Sequence, residues 1–229
     1  MSSNAAQGSS VPNDSSLPGE AFEVRQTLTT EDMTPDPSKS LPLNKARQEL
    51  VDDIIALYSC QPTVERVKRY TPDCVYDDQF VYANDRYKMA GQWYGLPKGF
   101  QRSTNERYEI VRNEQNLIQF KNEQTWVFAK AFLYTKPVTI NALVSLSLDP
   151  ATSDSDFIQV KYHKDQANDK DYSHEGVGFS FKKWQADHVM KHMDSPEVQM
   201  FKEDSGAGKT EVNKYGSGTE EGNAPKKDF

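Results

Sequence analysis

Apolar side chains recur at two different periods along this chain, and the change from one to the other falls at Phe100. Leu43, Ala46, Leu50, Ile54 and Leu57 step by three and four, the spacing that lines one face of an α-helix. Pro42 suits a first helical turn, where its missing N–H would have no partner anyway, so a helix is predicted to run to Ser59. A second helix is predicted from Pro62 or Thr63 through Val64, Val67 and Tyr70, stopping before Pro72, whose ring disfavours helical backbone just ahead of it. Asp73 to Asp78 reads as a short strand. Asn84 or Asp85 can cap a third helix that carries Met89 and Trp93 and is ended by Gly95, Pro97 and Gly99.

Beyond Phe100 apolar and polar residues alternate, and turn signals divide the segment into four strands. Tyr108 and Ile110 alternate in the first; Ile118, Phe120, Trp126 and Phe128 share a face of the second. Val138, Ile140, Ala142, Val144, Leu146 and Leu148 do so in the third. In the fourth, Ile158, Val160 and Tyr162 form one face and Gln159, Lys161, His163 and Asp165 the other, because successive side chains point to opposite sides of a strand. A last helix is predicted from Gly178 to Met193, with Phe181, Trp184 and His188 along one side. Helices first and an antiparallel meander after them predict an α+β domain over residues 41–203, with helices packed on the concave face of a curved antiparallel sheet. Residues 1–40 and 204–229 hold few large apolar side chains and cannot offset the entropy of ordering, so two disordered tails are expected.

Composition removes several classes of function. Of 229 residues 34 are acidic and 27 basic, a net charge of −7, so nothing draws the chain over long range to nucleic acid or to an anionic membrane. No apolar run approaches the ~20 residues that a membrane helix needs. Cys60 and Cys74 are the two cysteines, without a Cys-x-x-Cys pair, which argues against a disulfide framework or a zinc ribbon. With no targeting segment recognisable, a cytoplasmic location is expected. Ser205-Gly206-Ala207-Gly208-Lys209-Thr210 imitates a phosphate-binding loop, but Glu203 stands where that motif needs glycine. His188 and His192 have helical i, i+4 spacing, yet Val189 stands where a metalloprotease keeps its glutamate. Neither cofactor nor metal is therefore expected.

The stretch Tyr70-Thr71-Pro72-Asp73-Cys74-Val75-Tyr76-Asp77-Asp78-Gln79-Phe80 resembles the end of the second helix and the first strand of SnoaL-like domains in the nuclear transport factor 2-like superfamily, where a phrase such as F-x-x-D-A-V-x-x-D-P-F recurs. Gly95-Leu96-Pro97-Lys98-Gly99-Phe100 looks like the loop after their third helix, and Tyr162-His163-Lys164-Asp165 is similar to an H-x-D phrase on a late strand. The resemblance covers about Leu43 to Met193. It implies a cone-shaped SnoaL-like (cystatin-like) roll of order α-α-β-α-β-β-β-β, curled around an apolar cavity, with dimers paired through the sheet. Such a fold hosts many functions, so residues must choose among them.

By ungapped comparison, Asp78 falls where the ketosteroid isomerases of this superfamily keep their general base. A carboxylate at the mouth of an apolar cavity gains base strength by desolvation; as a strand-end residue it could equally cap a backbone N–H. The isomerases' oxyanion tyrosine falls at Ile54 and their second acid in the apolar stretch Asn141 to Leu146, so steroid isomerisation is not expected. His163 and Asp165, two apart on one strand face, could form an oriented His–carboxylate pair, but their neighbours Gln159 and Lys161 favour a solvated or dimer-facing surface unless the strand bulges. Asn122 and Gln124 interrupt the apolar face of the second strand, where unpaired amides would be costly, and so mark either ligand contacts or cross-strand pairs. Tyr76, Trp93, Trp126 and Phe128 are the aromatic residues expected around the cavity, with ordinary core packing an equal account of each. The combined expectation is a domain binding a small apolar molecule, acting as a cofactor-independent isomerase, cyclase or dehydratase through Asp78, with a non-enzymatic interaction module as the alternative.

Overall fold

The computed structural model describes residues 32–78, 81–128, 136–167 and 193–209. Helix α1 (Lys45–Tyr58) starts at Asn44, whose side chain accepts from the Arg47 N–H, and buries Leu50, Val51, Ile54, Leu57 and Tyr58. The first turn therefore opens after Pro42 rather than on it. Helix α2 (Val64–Val67) is one turn capped by Thr63. It is shorter than its periodicity suggests, because Tyr70 is already the first residue of strand β1 (Tyr70–Asp77). A two-residue strand β2 (Tyr82–Ala83) leads into helix α3 (Arg86–Gly99), capped by Asp85 and carrying Pro97 in its last turn.

Four strands follow: β3 (Phe100–Glu114), β4 (Leu117–Phe128), β5 (Val138–Leu148) and β6 (Val160–Ala167). The sheet order is β2-β1-β6-β5-β4-β3. All pairings are antiparallel except that of β1 with β6, which corrects the wholly antiparallel expectation. The chain passes from β1 to β6 through a connection that includes α3 and strands β2 to β5, the long connection that a parallel neighbour requires. Register breaks at Phe100/Arg102, Asn105/Arg107 and Ile110/Arg112 bend β3 around the helices. Leu50, Ile54 and Leu57 of α1, Met89 and Trp93 of α3, and Ile118, Phe120, Val144 and Leu146 of the sheet form one buried core. The result is the expected α+β cone.

One bulge decides what faces this core. Leu148 pairs with Val160, but the next pair is Ser147 with Tyr162, so Lys161 is an extra residue on β6. Ahead of it Val160 lies in the core; beyond it His163 does, while Tyr162 and Lys164 turn to the other side of the sheet. The expected facing of β6 is thereby reversed at His163 and Asp165.

The domain also extends beyond residues 41–203. Residues 32–41 form a strap over β3 and its neighbours: Lys121 donates to the Asp32 carbonyl at 2.9 Å, the Asp36 N–H donates to Glu109, and the Leu41 N–H donates to the Ile110 carbonyl. Met33 is buried beneath it. At the other end Asp204 pairs with Arg86 at 2.7 Å and the Gly206 N–H donates to Asp85. Gly208 lies so close to Asn84 that an added Cβ would stand 2.0 Å from its carbonyl oxygen. The stretch that imitates a phosphate loop is thus, over its described residues, a clip on the start of α3. The predicted helix Gly178 to Met193, with Phe181, Trp184, His188 and His192, lies outside the described residues except for the buried Met193. Among the described residues no helix is long and apolar enough to cross a membrane, and no cluster of His, Cys, Asp and Glu could hold a metal ion.

Candidate functional site

Between the concave sheet and helices α1 and α3 lies a cavity of about 400 Å³. The even-numbered residues of β4 point into it, as their alternation predicts: Asn122, Gln124, Trp126 and Phe128. Val138, Ile140 and Ala142 of β5 continue that wall, and Trp93 with Met89 and Gln92 closes it from α3. Tyr76 and Asp78 enter from β1, Asp165 from β6 and Tyr58 from α1. Of the nine residues expected to form a site, eight line this space; His163 lies directly behind them, fully buried, its ring 4.8 Å from that of Tyr76.

The polar end is a chain of hydrogen bonds whose direction can be worked out. Tyr58 donates to Asp165 Oδ2 at 2.7 Å, so its oxygen is left to accept from His163 Nε2 at 3.0 Å. A proton on Nε2 leaves Nδ1 as an acceptor, which takes the Tyr70 hydroxyl at 2.9 Å. Burial drives the His163 pKa down to about 3, so the ring is neutral and this tautomer is consistent along the whole chain. Tyr70 stacks on the imidazole with ring centroids 5.9 Å apart, fixing its plane.

The chain ends on a carboxyl group that is reluctant to ionise. Burial first, and then the nearby charge of Asp78, raise the Asp165 pKa to about 7 against the opposing hydrogen bond from Tyr58. Asp165 Oδ1 has no hydrogen-bond partner among the described residues. A carboxyl group half-ionised near neutrality in the wall of a cavity, with one oxygen unpaired among the described residues, can take up or release a proton there.

Asp78 has the capping role foreseen for it and lies in the cavity wall. It caps the turn by accepting from the Val81 N–H, and its other oxygen accepts from the Tyr76 hydroxyl at 2.9 Å beside the cavity. Asp77 points to the opposite side of the sheet, where it meets Lys164 at 2.9 Å with both side chains 1% exposed. Asn122 and Gln124 are partly paired across the sheet: Asn105 donates to Asn122 Oδ1 at 2.6 Å, and Gln124 Nε2 donates to Ser103 at 2.7 Å. Gln124 Oε1, on a side chain 2% exposed, is left without a partner among the described residues.

Tyr58 and Tyr70 are the members that sequence reasoning missed. Tyr58 lies one helical turn beyond Ile54 on the same face of α1, and a search of adjacent turns for a tyrosine would have found it. Tyr70 continues the helical spacing of Val64 and Val67, which masks its place on β1, from where its hydroxyl reaches His163.

No family model matches the sequence, and no curated protein matches it. Solved structures do. A nuclear transport factor 2-like protein from Anabaena variabilis superposes with a TM-score of 0.45 at 9% identity, covering 55% of this chain and 89% of its own. A candidate SnoaL-like polyketide cyclase from Shewanella putrefaciens gives 0.44 at 15% identity, covering 56% and 92%. A phenazine biosynthesis-related protein from Pseudomonas aeruginosa gives 0.42 at 11% identity, covering 54% and 82%. At such identity the likeness concerns fold and transfers no residue's role.

Proposed function

We propose that this chain, whose helices and curved sheet form a nuclear transport factor 2-like (SnoaL-like) cone, binds one small, mostly apolar molecule in its cavity and exchanges a proton with it through Asp165. The observation that carries this reading is the Oδ1 of Asp165, buried and without a hydrogen-bond partner among the described residues, on a carboxyl group held near neutrality in the wall of a cavity otherwise lined mainly by aromatic and aliphatic side chains. Tyr58 touches that carboxyl group directly, while His163 and Tyr70 act through Tyr58 as positioning residues. Asn122 and Gln124 on the far wall orient the molecule, and Trp93, Trp126 and Phe128 exclude water.

Proton removal and return by one carboxyl group without a cofactor is the chemistry of isomerisation, cyclisation and dehydration. Asp165 suits that work better than Asp78, whose oxygens accept from the Val81 N–H and the Tyr76 hydroxyl.

Native mass spectrometry of the full chain purified from cell extract tests the reading. A retained small molecule is expected in the parent protein and none in Ala142→Trp, which fills the cavity. A chain that takes up no small molecule from any extract, while remaining folded, would refute it.

A further inference from the structure

The cavity is acidic. Asp165 and Asp78 both line it, and no lysine, arginine or histidine does so among the described lining residues. Lys164 and Lys161 on the same strand are engaged elsewhere, with Asp77 and Asp73. His163, behind the wall, is neutral. Among the described lining residues an anionic molecule would meet two carboxyl groups and no counter-charge; a cation would meet two carboxyl groups and several aromatic rings, which attract positive charge through their faces.

A second observation is independent of charge. Two buried atoms of cavity-lining side chains lack partners as acceptors among the described residues: Asp165 Oδ1 and Gln124 Oε1. A buried acceptor without a donor is costly, and both atoms belong to side chains in the cavity wall. The indole N–H of Trp93, a donor, also lacks a partner in good geometry among the described residues; it is turned toward the Tyr70 hydroxyl. The register separates the two acceptors: Asp165 and Phe120 both pair with Val144, whereas Gln124 lies four residues further along β4. Four residues along and two strands across place the backbones roughly 16 Å apart before the side chains reach inward.

We infer that the occupant is an amine: an elongated apolar molecule whose protonated nitrogen lies against Asp165 and Asp78, with a second N–H or O–H at its far end for Gln124. This rests on the reading of the cavity as a ligand site and adds the chemical class of the ligand. The groups around Asp165 are Tyr58 from α1, Tyr76 from β1, Asp78 just beyond it, and His163 from its own strand, with the charge of Asp77 felt through the sheet from its other face. None of them brings a positive charge near neutrality.

Tyramine, tyrosol and hydroxyphenylacetate share one skeleton and end in an ammonium, a hydroxyl and a carboxylate; phenethylamine is tyramine without the phenol hydroxyl. Their binding to the full chain is to be measured by protein NMR titration across pH 5 to 9. Tyramine is expected to bind about tenfold more tightly than tyrosol at pH 8, the worth of one charge-assisted hydrogen bond, and hydroxyphenylacetate more weakly than either. Tyramine affinity is expected to rise as pH passes through about 7, where Asp165 ionises, with tyrosol affinity flat. Phenethylamine is expected to bind several-fold more weakly than tyramine, a gap that closes in Gln124→Leu. Asp165→Asn should abolish the preference for the amine, and the pH dependence of the parent protein tests the same point without a variant. Equal or tighter binding of tyrosol overturns the amine while leaving the ligand site standing. Binding of none of the four overturns the amine, and if native mass spectrometry also finds no retained molecule, the ligand site falls with it.

Discussion

The Tyr58 hydroxyl donates to Asp165 Oδ2 across 2.7 Å, joining the first long helix to strand β6 over 107 positions of sequence. This bond opposes the rise in the Asp165 pKa that burial causes, because it favours the charged carboxylate. Tyr58→Phe is therefore expected to move the Asp165 midpoint above about 7, read from the carboxyl carbon signal in an NMR pH titration. The same variant leaves the His163 N–H without its acceptor and should cost about 1–3 kcal/mol of stability. An unchanged or lower midpoint would contradict the assigned direction of the bond.

Asp165 and His163 affect stability with opposite signs. Asp165 rises from its ordinary 3.8 to about 7, so between about pH 4 and 7 the folded state holds a proton that the unfolded state has lost, and stability falls as pH rises. His163 drops from 6.5 to about 3, so between about pH 3 and 6.5 the unfolded state holds the extra proton, and stability rises with pH. From about pH 4 to 6.5 the two slopes offset each other. Asp165→Asn should unmask the histidine, gaining up to about 1.4 kcal/mol per pH unit in slope relative to the parent protein. His163→Gln should change the slope by a similar amount in the negative direction. Urea unfolding at intervals between pH 4 and 7 checks both signs.

How much of the site is legible in sequence depends on whether local pattern or distant pairing sets it. The β4 wall is legible because its period of two is unbroken from Ile118 to Phe128, so Asn122 and Gln124 announce themselves as polar positions on an apolar face. The β6 wall is not. Gln159, Lys161, His163 and Asp165 alternate like an exposed face, and the extra residue that turns His163 inward is set by pairing with Ser147 and Val75, which no local window contains. The strap at residues 32–41 escaped notice for a related reason. Met33 is buried against a sheet assembled much later in the chain, and a lone apolar residue has no period.

Gly208 gives a test of the terminal clip. A Cβ there would press on the Asn84 carbonyl, which belongs to the backbone and cannot swing aside, whereas one at Gly99 meets nothing within 4 Å. Gly208→Ala is expected to release the clip from Asp85 and Arg86 and to lower the melting temperature, while Gly99→Ala leaves it unchanged or slightly higher. Limited proteolysis near Ser205 should accelerate in the first variant only. Equal behaviour of the two would show that the close approach has no consequence in solution.

The remaining prediction concerns the far side of β1 and β6, where Asp77 meets Lys164 and also receives the Tyr162 hydroxyl at 3.3 Å. Two charges this deeply buried recover little net energy from each other, because both lost their hydration to reach the interior. Removing one is another matter, since it strands the other charge. Lys164→Met is expected to destabilise the domain by about 3–5 kcal/mol, whereas the double variant Asp77→Leu with Lys164→Met should recover most of that loss. A double-mutant cycle in urea measures the difference. Ligand uptake by the double variant should be retained, because Asp77 and Lys164 point away from the cavity while Asp78 and Asp165, each one position further along, point into it.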